Sequence, residues 1–254
     1  GNARADYFMP FFLDAESRTA EAEEIDSRAE EAARLLTEWD RRYTKDNTRA
    51  VLFELAMDEL VDRTWDELNE PGDGDGRTRR VFTPASAVLA VLLNAPHSVW
   101  WDDTRTVGVA EDRDDILIAS LAAALERAKA QHGEPDGGDW RWDRVRNTNI
   151  YHLLGLESLS VLGLPIQGGP GSLNPSSGRG IFGASWRMVV QLGPEVEAWS
   201  IYPGGQSGNP VSSRYIDRVD RWVEGKLDPV LFPRSPSDLD AARTASILEL
   251  NPER

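Results

Sequence analysis

The chain has 254 residues, enough to bury a sizeable core as one large domain or two small ones, and 40% apolar residues with nine tryptophans mark it as globular. Its net charge of −15 argues against sequence-independent nucleic-acid binding, because phosphate contacts need a basic face. Without a cysteine there is no disulfide, thiolate metal site or cysteine nucleophile, and no apolar run approaches the length of a membrane span.

The first residues, Gly1-Asn2-Ala3-Arg4, carry neither an initiator methionine nor a signal-peptide pattern, so the chain reads as a fragment or processed piece. Residues 3–13 gather Tyr7, Phe8, Phe11 and Phe12 around Pro10, as a short apolar helix or an extended plug. The acidic residues crowding 14–31 suit a solvated helix face. With only Lys45, Lys129 and Lys226 as lysines, the same acid-rich composition fits a salt-adapted protein.

Residues 26–40 place Ala29, Ala32, Ala33, Leu36 and Trp39 at helical spacing, and residues 50–68 form the strongest helical pattern, with Asp46 or Asn47 as cap. Pro71-Gly72-Asp73-Gly74-Asp75-Gly76 is an exposed loop: it lacks the further ligands and closing glutamate of a calcium loop, and the strand that precedes a dinucleotide fingerprint. Thr83-Pro84 opens a helix through Leu93. Glu111-Asp112-Arg113-Asp114-Asp115 leads another to about Lys129, its acids meeting the positive helix end.

The Gly, Pro and Asp-rich residues 133–138 predict the boundary between a mainly helical part, 1–132, and a strand-rich part, 133–254, of one continuous domain. In the second part, Trp186, Met188 and Val190 alternate with Arg187 and Val189, Gly193-Pro194 turns the chain, and residues 198–202 resume an extended run, which is hairpin chemistry. Pro203-Gly204-Gly205 then forces a hinge, the paired glycines supplying backbone angles closed to other residues. A closing helix and a surface tail with a short helix over 238–248 complete the chain.

Residues able to carry chemistry are few. His97, His132 and His152 are widely separated, without metal-ligand spacing. Neither Gly183-Ala184-Ser185-Trp186-Arg187 nor Gly205-Gln206-Ser207-Gly208 satisfies the Gly-x-Ser-x-Gly elbow of a serine hydrolase. Gln206, Ser207 and Asn209 are the candidates for lining a ligand pocket, and no catalytic or metal-binding residue is assigned.

The order Gly183-Ala184-Ser185-Trp186-Arg187-Met188-Val189-Val190, then Pro203-Gly204-Gly205-Gln206-Ser207-Gly208-Asn209-Pro210, then Tyr215, Asp217, Trp222 and Gly225, resembles the C-terminal part of the β chain of penicillin acylases. Those enzymes are N-terminal-nucleophile hydrolases. Upstream phrases, Met9-Pro10, Trp39-Asp40, the Trp100-Trp101-Asp102-Asp103 cluster and Gly168-Gly169-Pro170-Gly171-Ser172-Leu173-Asn174, extend the resemblance over nearly the whole chain. It departs at Asp143 and Arg146, where the family carries the glycine and histidine of a Trp-Gly-x-x-His phrase. Smaller departures are Gln191 for aspartate and Ser213-Arg214 for Pro-His.

The resemblance implies an α+β fold, a helical half followed by strands completing part of an αββα sandwich. It also implies hydrolysis of linear N-acyl amides such as penicillins or acyl-homoserine lactones by an N-terminal serine whose own amine is the base. Nucleophile, oxyanion donors and a calcium ion belong, by that resemblance, to segments outside this chain, which alone is expected to be inactive. The implied partners are the upstream β-chain segment and a small α chain, in a periplasmic, secreted or cell-surface setting. The rival reading is a non-catalytic binding or interaction domain that retains this architecture and faces a ligand with Trp100, Trp101, Trp140 and Trp142.

Overall fold

A computed structural model describes residues 2–21, 26–71, 78–80, 82–137, 139–177, 183–238 and 248. The chain divides into two compact units, 1–184 and 185–254. Residues 133–138, where the sequence predicts the boundary between a mainly helical and a strand-rich part, lie inside the first unit.

Helix α1 spans Ala3–Glu21, running through Pro10 and well past the apolar stretch that the sequence marks. Phe8, Met9 and Phe12 are buried. Helix α2, Ser27–Thr37, starts where the Asp26 carboxylate accepts from the Arg28 N–H, satisfying an orphan donor of the first turn. Helix α3, Ala50–Thr64, ends before the expected 68, where one turn of 3-10 helix over Asp66–Leu68 tightens the exit. Asn47 is its functional cap, accepting from the N–H groups of Arg49 (2.9 Å) and Ala50 (2.7 Å). Buried residues lie on more than one face of α3: Val51, Leu52, Phe53, Leu55, Ala56 and Met57 are all inside.

Two short strands, β1 (Asn69–Pro71) and β2 (Thr78–Arg80), pair antiparallel, with Glu70 opposite Arg79; residues 72–77 of the expected loop fall outside the described residues. Helix α4, Ser86–Leu92, follows the predicted proline start by two residues. Helix α5, Arg113–His132, begins with a capping box: Asp112 accepts from the Asp115 N–H, and the Asp115 carboxylate accepts from the Asp112 N–H. This helix is the axis of the first unit. It packs against α1, α2 and α3, burying Ile116, Leu117, Leu121 and Leu125 in one continuous core with Phe12, Leu36, Phe53 and Leu60. Its buried Ser120 hydroxyl donates to the Ile116 carbonyl at 2.6 Å, which satisfies a polar group that water cannot reach.

Short helix α6 (Trp142–Arg146) is tied back to the start of α3 by the Trp142 N–H to Asn47 carbonyl and Asp143 N–H to Lys45 carbonyl bonds. Strands β3 (Thr148–Ile150) and β4 (Val161–Leu164) then pair antiparallel.

In the second unit, β5 (Arg187–Gln191) and β6 (Glu197–Ile201) form the expected hairpin, with Val189 opposite Trp199, and β7 (Asp228–Pro229) pairs with the other side of β6. Alternation along β5 does not sort buried from exposed: Met188, Val189 and Val190 all face outward. The unit's small core is Ile201, Val219 and Trp222, the last two on helix α7 (Val219–Val223). The Arg187 guanidinium lies 4.5 Å from the Trp222 ring centre and donates to the Trp222 carbonyl, and burial pushes it below the ordinary arginine range. The predicted tail helix falls mostly on 239–247, outside the described residues; only a 3-10 turn over Pro236–Asp238 is described.

Candidate functional site: a clamped loop and a hinge

Two places answer to the glycine-rich segments of the sequence. The first is the loop 167–174. Its Gly168 carbonyl accepts from the Trp142 indole N–H at 2.7 Å and from the Arg146 guanidinium at 2.9 Å, while the Gly168 N–H donates to the Tyr43 carbonyl at 2.8 Å. Gly169 lies against the Tyr43 ring so closely that a methyl group there would overlap it. From the far end of the chain, Asn2 donates to the Pro170 carbonyl at 2.5 Å.

Tyr43 links this loop to a buried charge. Its hydroxyl donates to Glu54, whose other oxygen receives the Arg4 guanidinium at 2.7 Å. Burial pushes the Glu54 carboxyl up; Arg4 and the Tyr43 hydroxyl pull it only partly back. Burial likewise raises the Tyr43 phenol, and the neighbouring Glu54 charge adds to this. Arg4 also lies over the Phe53 ring at 5.4 Å. No sequence motif marks Glu54. Its signal was there: Glu54 follows Val51 by three positions, on the apolar side of a helix, where a carboxylate must find a partner.

Arg146, at the position of the family histidine, is 1% exposed and donates to the carbonyls of Gln167 and Gly168. It therefore holds the loop, and no proton-transfer role follows for it. Asp143, in place of glycine, is gripped through both oxygens by Arg141 at 3.1 and 2.8 Å.

The second place is the hinge that follows β6. Of the candidate residues, Gln206 is exposed, and Ser207 and Asn209 build backbone: the Ser207 hydroxyl accepts from the Asn209 N–H (3.1 Å), and the Asn209 side chain accepts from the Val211 N–H (3.0 Å). The Ser207 N–H donates to the Arg214 carbonyl at 3.1 Å, closing the loop. Neither Gly204 nor Gly205 adopts a positive φ, so the glycine pair is not needed for left-handed backbone as the sequence suggested. Gly205 is needed for space, since a methyl group would overlap the Arg214 carbonyl. Replacing Gly205 by alanine is expected to lower the stability of the second unit by about 1–3 kcal/mol, while Gly204→Ala, with nothing within 4 Å, changes it little. Denaturant melts of the two variants, followed by the fluorescence of the unit's tryptophans, separate these outcomes.

The tryptophans proposed to face a ligand are core. Trp101 and Trp140 are 0% exposed and Trp142 is 1%, and each indole N–H reaches a backbone carbonyl, at Ala95, Gly133 and Gly168; Trp100 alone is partly exposed and stacks edge-on against Trp65. Among the described residues no group of three or more His, Cys, Asp or Glu side chains is placed to hold a metal ion. His97 lies on the surface 3.9 Å from Asp112, and burial holds His132 below the usual histidine range.

Known proteins resemble this chain over most of its length. Residues 2–238 match the penicillin amidase family. The acyl-homoserine lactone acylase QuiP of Pseudomonas aeruginosa is 29% identical over 257 residues, covering 90% of this chain and 30% of that protein. That of Pseudomonas putida is 31% identical over 215 residues, covering 79% and 26%. The chain thus spans less than a third of the length of these relatives. Among solved structures, a thermostable penicillin G acylase from Alcaligenes faecalis superposes on all of this chain and 48% of its own with a TM-score of 0.56, at 14% identity, a likeness of fold. The motifs around the two glycine-rich segments and the match across 2–238 place the chain in the penicillin amidase family.

Proposed function

We propose that these residues are the C-terminal structural portion of an amidohydrolase that cleaves linear N-acyl amide bonds, with penicillin-like amides and acyl-homoserine lactones as the substrate classes. The nucleophile and the oxyanion donors are supplied by another segment of the same precursor. One observation carries this reading: at the two glycine-rich segments the polar side chains of Ser207, Asn209, Trp142 and Arg146 are turned onto backbone groups of the chain itself. They fix loop geometry, which is the contribution of a scaffold to a site whose reacting groups come from elsewhere.

The β5–β6 hairpin is the point at which such a scaffold joins the rest of its sheet. Among the described strands β5 is one edge of its three-stranded sheet, β7 being the other, and Met188, Val189 and Val190 are exposed on it. Strands of the upstream segment and the small α chain would pair with this edge and complete the αββα sandwich, which otherwise leaves a hydrophobic edge open to association.

The purified 254-residue chain is expected to release no acyl group from penicillin G or from N-octanoyl-homoserine lactone. Co-expression with the preceding segments of its precursor is expected to restore hydrolysis. Turnover by the chain alone, proportional to its concentration and retained through repeated purification, overturns the reading.

A further inference from the structure

In the first unit, the connection between β3 and β4 turns its apolar side chains outward. Leu153 is 100% exposed and Leu154 78%, and Tyr151, Leu156 and, on β4, Leu162 are exposed as well. Residues 151–164 carry a single charged side chain, Glu157, in a chain of which 28% of the residues are charged. A lone exposed leucine needs no explanation, but several gathered on one loop mark an interaction surface.

The loop is built to hold them there. Gly155, at a φ of 67°, closes a turn in which its N–H donates to the His152 carbonyl at 2.8 Å. The Ser160 hydroxyl accepts from the His152 N–H at 3.0 Å and donates to the Leu156 carbonyl at 2.9 Å, around one turn of 3-10 helix over Glu157–Leu159. At the strand end, the Gly163 N–H donates to the Asn149 side-chain oxygen at 2.8 Å. These bonds fix the shape of the loop before any partner arrives, which lowers the ordering cost of binding. Tyr151 also lines an open cleft of about 840 Å³ together with Leu55, Val145 and Pro170, so the apolar surface continues from the loop into a concavity.

Charge and length select what covers this surface. A second copy of the chain would set a net charge of −15 against its equal, and an anionic membrane would repel it likewise. The chain spans less than a third of the length of its curated relatives, so most of such a protein lies outside these residues. We propose that the loop 151–160 docks into an uncharged, apolar groove on the preceding segment of the same precursor, with Leu153 and Leu154 seated in it. The inference rests on reading these residues as the C-terminal portion of a longer amidohydrolase, and it adds a joint to the one at the β5 edge.

The preceding segments of the precursor, co-expressed with the 254-residue chain, give the complex in which this joint is measured. Replacing both Leu153→Ser and Leu154→Ser is expected to raise the dissociation constant at least about tenfold, the scale of a buried anchor at an interface. Val107→Ser, at an apolar side chain 97% exposed outside the loop, leaves it unchanged. All three side chains are open to solvent, so the isolated variants keep the parent melting profile, which is recorded alongside. Amide exchange over 153–156 slows when the parent chain enters the complex. A complex that forms with parent affinity in the double variant, or without protection of 153–156, overturns the inference and leaves the hydrolase reading standing. A complex that responds as expected but cleaves no N-acyl amide overturns the hydrolase reading and leaves the joint standing, and the absence of any complex overturns both. Sedimentation of the chain alone and its flotation with phosphatidylcholine vesicles test the other occupants: a dimer or a vesicle-bound form that the double variant abolishes and the preceding segment does not displace also overturns the inference.

Discussion

Trp142→Ala lowers the stability of the first unit by about 3–5 kcal/mol, the range for removing a fully buried aromatic side chain. The residue is 1% exposed, its ring meets Tyr43 edge-on at 4.9 Å, and its indole N–H holds the Gly168 carbonyl. Truncation leaves a cavity beside Tyr43 and removes one of the two side-chain donors to that carbonyl, the other being Arg146. Trp142→Phe keeps most of the ring and loses the donor, so its cost is expected near 1–2 kcal/mol. Calorimetric melts of the three proteins give these differences. Amide exchange supplies the local readout: the Gly168 N–H, bonded to the Tyr43 carbonyl, loses protection in the alanine variant more than the mid-α5 amides do. Equal loss at both places would mean that Trp142 serves the core and does not clamp the loop.

Asp103→Asn is the second large effect, at about 3 kcal/mol, the low end for breaking a buried ion pair because both arginine partners keep some access to water. Asp103 is 2% exposed and accepts from Arg105 at 2.6 and 2.8 Å and from Arg63 at 3.2 Å. Burial alone would raise its carboxyl, but the bonds from Arg105 and the charge of Arg63 outweigh burial and hold it below the ordinary aspartate value. A carboxyl lowered on folding contributes stability that is complete above its unfolded pKa and is lost as the pH falls through its folded pKa. The difference in melting temperature between parent and Asn variant is therefore constant near neutrality and shrinks below about pH 4. A difference that stays the same at acid pH would show that the asparagine acts through packing.

Much of the helical half was legible in the sequence because its signals are local. The acid-led start of α5 needs only Asp112 and Asp115, three residues apart, and the α3 start needs only Asn47 and its two following amides. The β5–β6 hairpin was legible for the same reason, since Gly193-Pro194 marks the turn. What sequence reading lacked was contact at long range. The Asn2 to Pro170 bond joins opposite ends of the first unit, and the Trp142 and Tyr43 bonds to Gly168 depend on packing that no local pattern encodes. Alternation along β5 states which residues share a side and not whether anything covers it, and Met188, Val189 and Val190 are all exposed. The candidate residues Ser207 and Asn209 were chosen for their polarity, and their polarity is consumed by the turns that they build.

The Tyr43 hydroxyl has a consequence for the behaviour of the first unit in alkali. Burial lifts this phenol beyond the range in which tyrosines ordinarily ionise, and the adjacent Glu54 charge lifts it further. A tyrosinate beside a carboxylate would set two anions against each other, and Arg4 offsets this only in part. The phenol that donates to Glu54 therefore resists base more than an exposed tyrosine does for as long as it stays buried.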